Sequence, residues 1–231
     1  MSSIINLVPT TELEAINSML SAIGEQPIAA VDTATQADVQ MAVNILRDVT
    51  REVQSIGWRF NTEFGYEVAP FATLSWVDTA GITTLLNVFK PAANLIKFDL
   101  TATSAQGQLD LVIRPSRLYA ELGQFPLVFY DRSLNRDGLD STKFPYLYIN
   151  PVWLFDFEKM PEEARRYSTI RATRQFVERT VGSDTLAGFT QADERLALRN
   201  LKREYGEQDD YNMLDNMSVR SVLGRRSPFT W

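Results

Sequence analysis

The sequence predicts an α+β fold: a discontinuous four-helix domain, a small β domain inserted in its middle, and an extended C-terminal arm. Three observations carry this. Apolar residues recur at helical spacing over 11–56 and again over 161–205. Between them, from Trp58 to Phe157, the chain breaks into short apolar runs separated by Pro, Gly, Asn and Asp. Beyond Gly206 no period survives, yet aromatic and aliphatic residues continue to Trp231.

The first helix is predicted over 11–23. Thr11 and Glu14 have capping-box spacing, Leu13, Ile16, Leu20 and Ile23 form its stripe, and Gly24 with Pro27 ends it. The second spans 36–56 behind Thr35 as N-cap. Val39, Val43, Leu46, Val49, Val53 and Ile56 line one face, and Gly57 suits the C′ position. Its length is about 30 Å at the α-helical rise. Strands are predicted over 59–68, 72–77, 94–101, 109–114, 126–131 and 145–154, where Tyr, Phe, Trp, Val and Ile are frequent. The prolines from Pro91 to Pro151 exclude a long central helix. The third helix spans 161–181, with Pro161 in its first turn, Ala164, Tyr167, Ile170, Phe176 and Val177 near one face, and Gly182 at its end. The fourth spans 185–205, with Phe189, Ala192, Leu196, Leu201 and Tyr205, and Gly206 stops it.

This places the helical domain at 1–58 and 157–206, the inserted β domain at 59–156 and the arm at 207–231. A solvated tail is poor in apolar residues. This one carries Tyr211, Met213, Leu214, Phe229 and Trp231, so it is expected to order against a neighbouring copy or a partner. Its charge is split. Glu207, Asp209, Asp210 and Asp215 fall in 207–216 with no base, whereas Arg220, Arg225 and Arg226 follow with no acid.

Composition limits the chemistry. The 231 residues, 45% of them hydrophobic, suffice for one large domain or two small ones. The chain has no Cys and no His. Ser-His-Asp and Cys-His catalysis, zinc–thiolate sites and imidazole metal sites are therefore excluded. Carboxylate pairs, Lys and oxygen-held cations remain. Residues 1–11 lack a basic and apolar leader pattern, so no signal peptide is expected. No apolar run approaches the length of a membrane span. The net charge of −6 argues against a general nucleic-acid wrapper.

The residual chemistry is thin. Ser133–Gly138 matches the centre of a calcium loop, but position one is Ser133, position twelve is Phe144 and Arg136 sits in the middle, so a polar turn is expected. Glu162 and Glu163 are neighbours on a helix and diverge, and their place in the first turn suits the helix dipole. Tyr146, Tyr148, Trp153, Phe155 and Phe157 read as core and hairpin packing rather than a sugar platform. Arg165, Arg166, Arg171 and Arg174 on the third helix are candidates for salt bridges, a subunit boundary or a DNA channel wall. No catalytic, cofactor-binding or metal residue is assigned.

Four stretches carry a resemblance. They are Glu12–Ile28 (ELEAINSMLSAIGEQPI), Ile45–Glu63 (ILRDVTREVQSIGWRFNTE), Met160–Phe176 (MPEEARRYSTIRATRQF) and Asp210–Asp215 (DYNMLD). In this order they resemble tail tubular protein A, the head-to-tail adaptor of short-tailed podoviruses. Residues around 78–125 are longer and different, so no contact of that region is carried over. The resemblance implies a virion protein made in the host cytoplasm, and a structural rather than enzymatic role. It implies a homo-dodecameric ring between the portal and a tail nozzle, with tail fibres anchored nearby and double-stranded DNA leaving through the centre without sequence-specific binding. The negative net charge then suggests a channel wall along which DNA slides. The rival from another class is a tail-associated glycan hydrolase using two carboxylates. A nucleic-acid-binding protein is a third reading.

Overall fold

The computed structural model describes residues 10–31, 36–77, 81–101, 109–116, 126–182 and 184–208, with backbone alone for 184–190 and 206–208. Among the described residues are four helices: α1 (Glu12–Ala22), α2 (Ala37–Ser55), α3 (Glu162–Thr180) and α4 (Asp184–Gln208). Among the described residues eight strands lie between α2 and α3: β1 (Tyr66–Val68), β2 (Ala72–Val77), β3 (Thr83–Val88), β4 (Leu95–Leu100), β5 (Leu111–Pro115), β6 (Leu127–Asp131), β7 (Leu139–Asp140) and β8 (Leu147–Trp153). The fold class is α+β. The chain divides into two compact units, Met1–Leu46 with Glu162–Trp231, and Arg47–Pro161. The first division falls within α2.

In the helical unit, α1 packs on α3 and α3 on α4. The capping box forms as predicted: the Glu14 N–H donates to Thr11 Oγ1 and the Thr11 N–H to Glu14 Oε2. Ala15, Ile16, Met19 and Leu20 are buried from α1, and Ala164, Tyr167, Ala172, Phe176 and Val177 from α3. Asn17 fixes the chain after α1 by donating to the Ile28 carbonyl (3.0 Å) and accepting from the Ile28 N–H (2.8 Å). Glu162, in the first turn of α3, accepts from the Thr10 N–H and hydroxyl at 2.9 and 2.5 Å. Val39, Val43, Leu46, Val49 and Val53 of the predicted α2 stripe are buried. Ile56 lies just beyond the helix and is exposed. Thr35, the expected N-cap, lies outside the described residues.

The β unit contains three small antiparallel sheets, ordered β1-β8-β4, β2-β3-β7 and β5-β6. They share one core of Phe89, Leu111, Phe129, Leu139, Phe144, Leu147 and Ile149. Phe98 meets Phe129 edge-on at 4.9 Å between ring centroids. Gly138 lets β7 approach β3, because a Cβ there would lie 2.9 Å from Leu86 Cβ.

Several expectations need correction. Residues 59–68 are not one strand: a 3₁₀ turn occupies Arg59–Asn61 before β1, because the Asn61 side chain captures the Trp58 N–H at 2.8 Å. β3 and β7 were not predicted. In β3 the alternation is obscured, since Leu85 is exposed while Asn87 is buried and donates to the Phe144 carbonyl. β7 has two residues, too few for a period. Gly206 does not stop α4, which continues to Gln208. A glycine lowers helix propensity by only about 1 kcal/mol, less than a preceding amphipathic helix can overcome.

Candidate assembly surfaces

The stretch around Trp58, after α2, forms a buried polar junction within the β unit. Gln54 is fully buried. Its Oε1 accepts from the Phe155 N–H (2.7 Å) and its Nε2 donates to the Phe155 carbonyl (2.9 Å) and contacts Met160 Sδ (3.3 Å). Asn61 donates to the carbonyls of Gln54 and Trp153, both at 2.9 Å. Trp58 Nε1 donates to the Val53 carbonyl at 2.8 Å. Gly57, at φ +86°, makes the sharp exit from α2, and a Cβ there would press on Val152 at 3.3 Å. Every polar atom of the two amides has a use here. These residues hold the fold and present nothing to a ligand.

The α3 arginines divide by environment. Arg171 Nη1 and Arg174 Nε donate to opposite oxygens of Glu194 on α4, at 3.1 and 2.5 Å. Arg174 also reaches Glu178, one turn along the same helix, at 2.8 Å, and Arg171 reaches the Tyr167 hydroxyl. Arg165 is 9% exposed and donates to the Thr10 carbonyl at 3.0 Å. Arg166 is the exposed one. It lines a groove of about 360 Å³ with Ser18, Ile170, Thr173, Asp193 and Leu196. Glu194 was missed because its partners lie on another helix, beyond the reach of local spacing. On the same helix pair, burial pushes the Tyr205 hydroxyl up to about 12, with Glu204 and Glu163 adding to the rise.

A second surface lies on the β2–β3 pair. β2 is an edge strand among the described residues. Trp76, Val77, Ile82 and Leu85 are all exposed there, Ile82 at 61% and Leu85 at 55%. Val77 and Leu85 share one face of the pair and Trp76 lies on the other, and exposed apolar side chains beside an open edge are what a partner covers. The sequence reading missed it along with β3.

Asp131 and Asp137 each accept hydrogen bonds from nearby groups. Asp131 Oδ1 accepts from the Ser133 N–H and hydroxyl, closing the Ser133–Gly138 turn, and Asn135 sits at φ +54°. Asp137 is buried and accepts from Ser116 Oγ at 2.8 Å. Among the described residues no group of three His, Cys, Asp or Glu side chains is disposed to hold a metal. Among them, too, no helix is long and apolar enough to cross a membrane. Tyr211, Met213, Leu214, Phe229 and Trp231 of the arm lie outside the described residues.

A family model of tail tubular proteins matches residues 13–211. The chain belongs to the tail tubular protein family. The match reaches all four helices, starting one residue into α1, and the whole β unit, including the stretch around 78–125. Among curated proteins, none matches the sequence. As a tail tubular protein the chain is a structural component of a phage tail, and it belongs to the virion. Its exposed β2–β3 strip and α3–α4 groove are therefore surfaces of a protein that works by assembling.

Proposed function

We propose that this tail tubular protein is the head-to-tail adaptor subunit. Twelve copies form a ring that joins the portal to the tail nozzle, near the anchoring point of the tail fibres, and surrounds the path of the ejected DNA. The helical part supplies the sides of the ring, and the arm docks on the portal or on an adjacent subunit through Tyr211, Met213, Leu214, Phe229 and Trp231. The observation that carries this reading is the family match along 13–211, supported by apolar residues in the sequence of the arm and by exposed apolar side chains on β2 and β3. A ring needs two complementary side faces, and a reaching arm is one way to supply them. An adaptor needs no catalytic group, in keeping with a sequence without His or Cys.

The test is co-sedimentation of the full chain with portal rings. The wild type is expected to pellet with portal. The Tyr211→Ser/Leu214→Ser/Trp231→Ser variant is expected to stay in the supernatant while keeping its helical circular dichroism. Full binding by that variant removes the arm from the proposal, and absence of binding by the wild type removes the adaptor reading.

A further inference from the structure

The basic residues of the helical unit fall into two sets. Arg165, Arg171 and Arg174 of α3 are engaged within the unit, by the Thr10 carbonyl and by Glu194. Those of α4 point outward. Glu194, Ala197, Leu201 and Tyr205 are buried and mark the inner stripe of the helix. Arg195, Arg199, Lys202 and Arg203 are exposed. Their spacing of i, i+4, i+7 and i+8 puts them on one face, over about 12 Å of helix axis. No acid occurs from 195 to 203. Arg199, Lys202 and Arg203 line a shallow depression with Leu196 and Asn200. Leu196 and Asn200 also line the α3–α4 groove that holds Arg166, with Asp193 on its far side.

Among the described residues, Arg166, Arg195, Arg199 and Lys202 have no ion-pair partner. Cations gathered this closely repel one another, and they do so on a chain whose net charge is −6. A polyanion removes that repulsion. The composition of the face favours nucleic acid over a protein. Protein interfaces are depleted in Lys and rely on aromatic anchors. This face carries Lys202, three arginines and Asn200, and no aromatic residue occurs from 195 to 203. Leu196, 48% exposed, lies at its border. Arg, Lys and Asn are the side chains that hold phosphate oxygens. Duplex DNA carries one charge per about 1.7 Å of its axis, so a strip about 12 Å long meets several phosphates at once.

We infer that the outer face of α4, from Arg195 to Arg203 with Arg166 beside it, contacts the phosphate backbone of duplex DNA. The inference deepens the ring reading above and rests on it for the source of the DNA, which passes through the ring. The contact itself belongs to the single chain, so the two can fail separately. It moves the DNA-facing charge from the α3 arginines to α4. It also replaces the negative channel wall expected from net charge with a local positive one, which the total of −6 conceals. Contacts to phosphate alone carry no sequence information, which suits DNA that moves past.

The experiment titrates a fluorescent DNA duplex with full-length chain and reads anisotropy over a series of salt concentrations. The wild type is expected to bind with a slope of log K against log salt of about −4, from five cations at about −0.9 each. Arg195→Gln/Arg199→Gln/Lys202→Gln is expected to lower the affinity at least about tenfold at the lowest salt and to bring the slope to about −2. A control, Arg51→Gln/Arg132→Gln/Lys159→Gln, changes net charge equally but removes cations already paired with aspartates. It is expected to bind within about twofold of the wild type, with the same slope. Circular dichroism and melting temperature show that each variant folds, and Gln keeps the helix propensity of α4.

Equal losses in the α4 variant and the control would reduce the effect to net charge and overturn the inference. A wild type that binds no duplex even at low salt also overturns it, because the face is then covered or idle, and leaves the ring reading standing. If the α4 variant binds DNA like the wild type but no longer forms particles with portal, the face joins proteins instead, which overturns it as well. Loss of DNA binding in the α4 variant alone supports the contact. The same result from a wild type that forms no ring on portal keeps the contact and removes the ring reading.

Discussion

Gln54 hydrogen-bonds the backbone of Phe155 in both directions, accepting its N–H at 2.7 Å and donating to its carbonyl at 2.9 Å. One side chain thereby satisfies two main-chain groups that are 101 residues away in sequence. Gln54 belongs to the QSIGW stretch that carries the family resemblance, and Met160, which it also touches, opens the MPEEARR stretch. Two of the four recognisable stretches therefore meet in the β unit as a structural joint.

Replacing Gln54 with Leu removes both hydrogen bonds and leaves the Phe155 N–H and carbonyl without them. Unsatisfied buried groups cost about 1–3 kcal/mol each, and these are partly buried, so a loss of about 2–3 kcal/mol is expected. Urea denaturation followed by far-ultraviolet circular dichroism measures it. A loss below about 0.5 kcal/mol would contradict the role assigned to this residue.

Glu194 pairs with both Arg171 and Arg174. The arginine side chains are about a quarter exposed (24% and 23%), so solvent screens part of the interaction. Glu194→Gln is expected to cost about 1–2 kcal/mol, less than a fully buried pair. Because the two arginines share one acceptor, Arg171→Met and Arg174→Met are expected to be non-additive. A double-mutant cycle by thermal melting checks this, and additive effects within about 0.3 kcal/mol would show that the groups act separately.

The exposed strip on β2 and β3 makes the opposite pattern. Trp76→Ser and Leu85→Ser are expected to change stability by no more than about 0.5 kcal/mol, since these side chains bury little. They are expected to reduce binding of an apolar dye and to weaken incorporation into tails. A large drop in melting temperature with normal incorporation would make the strip a folding element instead.

Tyr205 gives a pH signature. Burial raises its hydroxyl to about 12, from about 10 in the unfolded chain. Between those values the unfolded state loses its proton while the folded state keeps it, so stability falls as pH rises from about 10 to about 12. Below 10 both states are protonated and the residue contributes no slope. Tyr205→Phe is expected to flatten that alkaline fall relative to the wild type. Equal slopes for the two proteins, measured by denaturation at pH 9.5 to 12, would be evidence against a buried Tyr205.

The helices were legible because their signals are local. Thr11 and Glu14 announce the capping box three residues apart, and the α2 stripe from Val39 to Val53 needs only a 3.6-residue period. The strands were legible where alternation was clean, as in 72–77, and not where an exposed leucine and a buried asparagine invert it, as at Leu85 and Asn87. The charge network was half legible. Arg174 and Glu178 are one turn apart, but Glu194 belongs to another helix, and only packing brings it near. The candidate surfaces were the least legible part. An exposed Leu196 or Ile82 looks like any core leucine or isoleucine until burial is known. The groove beside Arg166 likewise exists only after α1, α3 and α4 are packed.

We propose that this chain works by assembling into an adaptor ring. Electron-microscopic imaging of the purified full chain mixed with portal tests it directly. Coaxial particles are expected, in which a twelvefold ring of this protein sits on the portal. Portal particles without an added ring, beside dispersed monomers at every protein ratio, would contradict it.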